Sequence, residues 1–224
     1  MTPRVQRAER AGGRRDVAYR TTESTRQARA DRSRALLDAA SSIVAESGFR
    51  AASVKAVSAL AGVSAGTVYT YFDTREHLLA EVFREHAAGE LLAVREAVDA
   101  VEHAGATAQL GALVETFARR AVRGRRLAWA LLVEPVDELI DSERLRYRRA
   151  YADTLEAMVR RGVASGDFAA QDARVSGAGL TGAIGEALTG PLSPLDAGEV
   201  TTDELVSSIL AFCLRSVGAT EAGR

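Results

Sequence analysis

The chain has 224 residues, 47% of them hydrophobic, with 29 Lys and Arg against 30 Asp and Glu. That is enough for one large or two modest domains, and no apolar run approaches the roughly 18 residues that a membrane span requires. The Arg14-Arg15 pair lacks the apolar segment of an export signal, so the expected setting is cytoplasmic, without membrane contact.

The single cysteine, Cys213, cannot form an internal disulfide, and His77, His86 and His103 have no ligand-like spacing with it. Neither a metal nor another cofactor is expected. No Ser/His/Asp set, phosphate loop or carboxylate pair stands at a defensible spacing, which argues against an enzyme and leaves no catalytic residue to name. The near-neutral total hides an asymmetry. Residues 1 to 75 hold 13 Lys and Arg against 7 Asp and Glu, while residues 76 to 224 hold 16 against 23. A basic first third joined to an acidic remainder suits a phosphate-binding module attached to one that does not touch nucleic acid.

In chain order, residues 1 to 25 read as an arginine-rich, disordered arm, either a solvated tail or an arm for a DNA minor groove. Residues 27 to 46 form a helix whose stripe is Ala35-Leu36, Ala39-Ala40, Ile43 and Val44, closed by Ser47-Gly48. Residues 53 to 72, SVKAVSALAGVSAGTVYTYF, read as two short helices broken at Gly62-Val63. Ser53 and Ser64 are N-cap candidates, and Val54, Val57, Leu60 and Ala61 give the first of these helices an apolar face. The outward residues of the second, Ala65, Gly66, Thr67 and Thr70, are small enough for the backbone to approach base edges. This is the pattern of a helix-turn-helix that lays its second helix in the major groove. The competing reading is tight helix packing inside a core. Base reading then falls to Lys55, Ala65, Gly66 and Thr67: the lysine can donate to guanine, and the threonine methyl can meet thymine. Lys55, the chain's one lysine, is otherwise a solvated helix residue.

Asp73 or Thr74 caps the next helix, which runs to about residue 103 and joins the two halves as a lever. Further helices are expected at about 106–122, 125–133, 137–164, 172–188 and 202–217. No strand alternation appears, so the fold is all-α with about nine helices: an arm at 1–25, a three-helix DNA-binding domain at 26–75, and a helical ligand-binding and dimerisation domain at 76–224. The eighth helix carries small residues, Gly177, Ala178, Gly179, Gly182, Ala183 and Gly185, and the ninth offers Leu205, Val206, Ile209, Leu210, Phe212 and Leu214. Phe117, Trp129, Leu132, Tyr147, Tyr151 and Met158 are candidates to line an apolar ligand cavity, or are plain core. The cluster Arg144, Arg146, Arg148 and Arg149 faces either an anionic ligand or water.

The run from Gly62 to Leu79, with Leu36-Leu37-Asp38-Ala39-Ala40 and Gly48-Phe49 before it, resembles the DNA-binding signature of the TetR family of bacterial repressors, over roughly residues 30 to 80. The resemblance implies that Ser53, Tyr71 and Arg75 hold phosphates, with Tyr69 sharing that role and Ser64 opening the recognition helix. It also implies that the last two helices pair two subunits as a four-helix bundle. The chain departs from the family at Arg75, usually lysine, and at Ser58, generally alanine. The expected protein is thus a dimeric repressor released from a palindromic operator on double-stranded DNA by a small, largely apolar effector of unknown identity. The alternatives are gating by a protein partner, and activation in place of repression.

Overall fold

The computed structural model describes residues 12–193 and 201–219; residues 1–11 of the expected arm lie outside them. Among the described residues there are nine α-helices and no strand. These are α1 (Gly12–Ser47), α2 (Val54–Leu60), α3 (Ala65–Tyr71), α4 (Arg75–Ala100), α5 (Gly105–Arg123), α6 (Arg125–Leu132), α7 (Glu138–Ser165), α8 (Ala173–Leu192) and α9 (Thr202–Ser216). One turn of 3₁₀ helix at Glu102–Ala104 joins α4 to α5.

The first helix corrects the expected arm, because it starts at Gly12 and not near residue 27. After Gly13 the segment up to residue 26 contains no glycine or proline, and four of its 13 residues are arginine. Arginine loses little side-chain freedom in a helix, so a composition that reads as low-complexity is also compatible with helix.

Helix ends follow capping chemistry. Ser53, Ser64 and Thr74 accept from the backbone amides of Ala56, Thr67 and His77. Asp137 and Asp172 each accept two amides at the starts of α7 and α8, and Thr201 with Glu204 forms a reciprocal capping box on α9. Gly62 turns the chain between α2 and α3 at φ +67°, a left-handed conformation that glycine adopts without a side-chain clash.

Two hydrophobic cores divide the molecule. The first gathers Leu36, Val44, Phe49, Val57, Val68, Phe72, Leu78, Leu79 and Phe83 from α1 to α4, and it takes in Ala130, Leu131 and Ile140 from α6 and α7. The second joins Val94 and Val98 at the far end of α4 to α5, α7, α8 and α9. With 26 residues, α4 spans about 39 Å at the usual rise and belongs to both cores. The two cores are therefore bridged twice, by α4 and by the α6–α7 corner. No described helix is long and apolar enough to cross a membrane.

On α8 the small residues serve two different faces. A Cβ added to Gly177 would stand 2.7 Å from Glu156 N and 2.8 Å from Ala152 O, so α7 and α8 meet backbone to backbone there. At Gly179 and Gly182 an added Cβ meets nothing within 4 Å. The ninth helix divides similarly. Val206 and Ile209, expected on a face toward a second subunit, are buried within this chain, whereas Phe212 stays 49% exposed.

Candidate functional site

Two places concentrate the residues singled out from sequence. The first is the pair α2 and α3, whose buried Val57 and Val68 seat them in the first core. Ser53, Lys55, Ser64, Ala65, Gly66 and Tyr69 are all exposed on this pair, and Thr67 is half-buried. The Ser64 hydroxyl lies 2.9 Å from the Thr67 hydroxyl, and Thr70 donates to the Gly66 carbonyl. The smallness of α3 has no internal use. A Cβ on Gly66 would meet only Ser64 Oγ at 3.7 Å, an ordinary contact, and Ala65 faces solvent. Packing inside the chain does not require glycine or alanine there, so the tight-core reading of this helix is set aside. The unexpected Ser58 is buried and donates its hydroxyl to the Lys55 carbonyl, which satisfies the polar group that replaces alanine.

Two of the expected phosphate holders also make contacts inside the chain. Tyr71 is half-buried against the first core, with Arg29 Cζ 5.8 Å from its ring centroid. Arg29 thereby brings a cation from α1 to the side of α3. Sequence reasoning missed it because an arginine on an exposed helix face reads the same whether it meets solvent or phosphate.

Arg75 is engaged inside the chain. Its Nη2 donates to Phe49 O at 2.6 Å and its Nε to Ala52 O at 3.0 Å, while Nη1 lies 3.7 Å from Glu76. These bonds make Arg75 a clamp on the turn between α1 and α2, because the planar fork of arginine reaches two carbonyls at once.

The second place is a cavity of about 170 Å³ between α4, α5, α6, α7 and α8. Phe117, Leu132, Tyr147 and Tyr151, all expected there, line it with Phe83, Leu113, Leu131 and Ile184. Trp129 and Met158 do not. Trp129 borders a separate depression beside Gly48, Arg50 and Glu134, and Met158 is 1% exposed in the second core, about one turn of α7 beyond the cavity-lining Leu155. Residue type alone cannot separate a cavity wall from a core.

The cavity's polar groups are mostly engaged already. Tyr147 donates to the Arg84 carbonyl at 3.1 Å, Thr181 to the Gly177 carbonyl at 2.9 Å, and Arg120 holds Glu90 through two bonds of 2.6 and 2.9 Å. The Tyr151 hydroxyl is buried without a hydrogen-bond partner among the described residues. Burial pushes this phenol well above its ordinary pKa, Glu90 adds to the rise and Arg120 opposes it, so it stays protonated.

Of the arginine cluster, Arg144 and Arg148 line the cavity, and Arg146 stacks 5.2 Å over the Tyr147 ring. Arg144 is the most enclosed of them, and it donates to the carbonyls of Leu131, Ala130 and Glu134 at the end of α6.

The two places are physically joined. Glu134, just past α6, accepts from Phe49 N and Arg50 N, each at 2.9 Å. The Phe49 ring packs 6.2 Å from Phe83, which in turn packs 6.1 Å from Tyr147 in the cavity wall.

Residues 36–82 match the profile of the bacterial regulatory proteins of the tetR family. The matched segment is of this family. Among curated relatives, the chain is 32% identical over 135 residues to the HTH-type transcriptional repressor KstR2 of Rhodococcus jostii, covering 57% of itself and 65% of that protein. It is 26% identical over 160 residues to the fatty acid metabolism regulator protein of Bacillus subtilis, covering 69% of itself and 80% of the relative. The fold is that of the Bacillus subtilis transcriptional regulator FadR solved in complex with stearoyl-CoA. The TM-score is 0.69 at 22% identity, over 82% of this chain and 98% of that one.

Proposed function

We propose that the protein is a dimeric transcriptional repressor that reads a palindromic operator with α2 and α3 and leaves it when a small, largely apolar effector occupies the cavity. The observation that carries the DNA half is the exposed, small-residue face of α3, which the chain's own packing does not require. KstR2, the relative of highest identity cited above, is an HTH-type repressor, which supports the direction of control.

Dimerisation rests on α8 and α9. Gly179 and Gly182 leave open space that a second helix can approach closely, and the same two helices carry the exposed Val175 and Phe212. Two heads set about 34 to 36 Å apart would meet successive major grooves on one face of the duplex.

The effector half rests on the cavity. Its volume of about 170 Å³ slightly exceeds the ~150 Å³ that accommodates a benzene, so a ring or a short chain fits. The FadR neighbour holds stearoyl-CoA, an apolar chain on a polar carrier, and this chain's apolar wall with arginines in its lining suits an effector of that general character. A cavity also favours a small molecule over a protein partner as the gate.

Lys55→Ala and Thr67→Val are expected to flatten the preference between the best operator and single-base variants by about 1–3 kcal/mol at the affected positions, leaving binding to unrelated DNA little changed. Mobility-shift titrations against a panel of point-mutated operators measure this. Undiminished discrimination in both variants would remove the base-reading assignment.

A further inference from the structure

The joint between the reading head and the effector domain is built around the turn that follows α1. Gly48 lies at φ +81°, and a Cβ there would stand 2.5 Å from Glu134 Oε2, so the turn is open where the carboxylate enters. The Glu134 oxygens then take one amide each, Oε2 that of Phe49 and Oε1 that of Arg50. A carboxylate bound to two backbone amides resists both sliding and rotation, because its plane and its position are both defined. From the other side, Arg75 holds the Phe49 carbonyl, so the Phe49 peptide units are tied to α4 and α6 together. Glu134 has its own anchor, since its carbonyl accepts from Arg144 Nη2 at 2.8 Å.

We infer that Glu134 determines operator spacing although it lies outside the reading helices: it sets the orientation of each head on its effector domain, and thereby the separation of the two half-sites. This rests on the dimeric reading proposed above. The physical reason is the helical geometry of DNA. Each base pair added between half-sites moves the second one by about 3.4 Å and rotates it by about a tenth of a turn. A head locked by two amide bonds cannot follow that change, and a head released at Glu134 can. The same joint is where occupation of the cavity reaches the DNA, because Leu131, Leu132 and Arg144 line the cavity and belong to or grip the end of α6 that presents Glu134.

The test uses the full chain and operators built from its preferred half-sites with spacers from two base pairs shorter to two longer. The native protein is expected to favour one spacer by ~10-fold or more, on the scale of a single mismatch. Glu134→Ala is expected to bind all spacers within about 3-fold while preferring the same half-site sequence, and Glu134→Gln, which keeps one acceptor, to fall between. Loss of stability alone would lower every affinity together without flattening the spacer profile. A native profile kept by Glu134→Gln and Glu134→Ala alike overturns the inference and leaves the dimeric reading intact. A native protein that prefers no pairing of half-sites overturns both.

Discussion

Gly177→Ala is expected to be among the most damaging single-methyl changes in the chain. The added Cβ would lie 2.7 Å from Glu156 N, 2.8 Å from Ala152 O and 2.9 Å from Glu156 Cα. All three are backbone atoms of α7, so no side-chain rotation relieves the clash and the two helices must part. Overpacking of this kind costs about 1–3 kcal/mol when side chains can yield, and a backbone obstacle places this case at or above the upper end. For a chain of this size that corresponds to a melting temperature lower by roughly 2–4 °C per kcal/mol. Because α7 and α8 both line the cavity, the loss also opens its wall. Gly89→Ala, in the exposed surface of α4 with nothing within 4 Å, is the control. There the methyl only improves helix propensity, and a gain of about 1 kcal/mol is expected. Thermal melts of both variants decide the matter, and equal melting temperatures would show that the α7–α8 contact is not as close as drawn.

Arg75→Ala is expected to loosen the reading head while leaving the salt dependence of DNA binding as it was. Two charge-assisted hydrogen bonds go with the guanidinium, and the Phe49 carbonyl, in a residue 2% exposed, loses a partner. Hydrogen bonds to charged groups contribute about 1.5–3 kcal/mol, and with the side chain 29% exposed a total near the lower bound, ~2 kcal/mol, is the expected destabilisation. Arg75→Lys keeps the charge but offers a point donor in place of a fork, so one of the two carbonyls is released and roughly half the loss is expected. A residue on a phosphate behaves otherwise: its removal reduces the salt slope by about one. Melting curves together with mobility shifts at several salt concentrations separate the two roles. An unchanged melting temperature with a shallower slope would return Arg75 to the phosphate backbone.

Much of the molecule was legible because local chemistry decides it. Ser53, Ser64 and Thr74 are caps in the structure as in the sequence, Gly62 turns the chain where a left-handed residue is needed, and α5, α6 and α7 lie within one residue or so of their periodic segments. What was not legible is tertiary. The carbonyls that engage Arg75 are 23 and 26 residues away, and the amides that engage Glu134 are 84 and 85 away, so neither role leaves a local pattern. Gly177 and Gly179 look alike in a run of small residues, yet one abuts α7 and the other faces open space. Trp129 and Met158 have the side chains of a cavity wall, but helix position puts them elsewhere. Sequence periodicity says which face is apolar; it does not say which parts of that face leave a gap.

In the proposed function, α2 and α3 of two subunits read a two-fold DNA site. The most direct measurement of this is selection of bound sequences from a random duplex pool by the purified full chain. Enrichment of an inverted repeat is expected, with half-sites centred about one helical turn, or a multiple of it, apart. A pool that stays unenriched after repeated rounds, or that yields a motif without inverted symmetry, would contradict it.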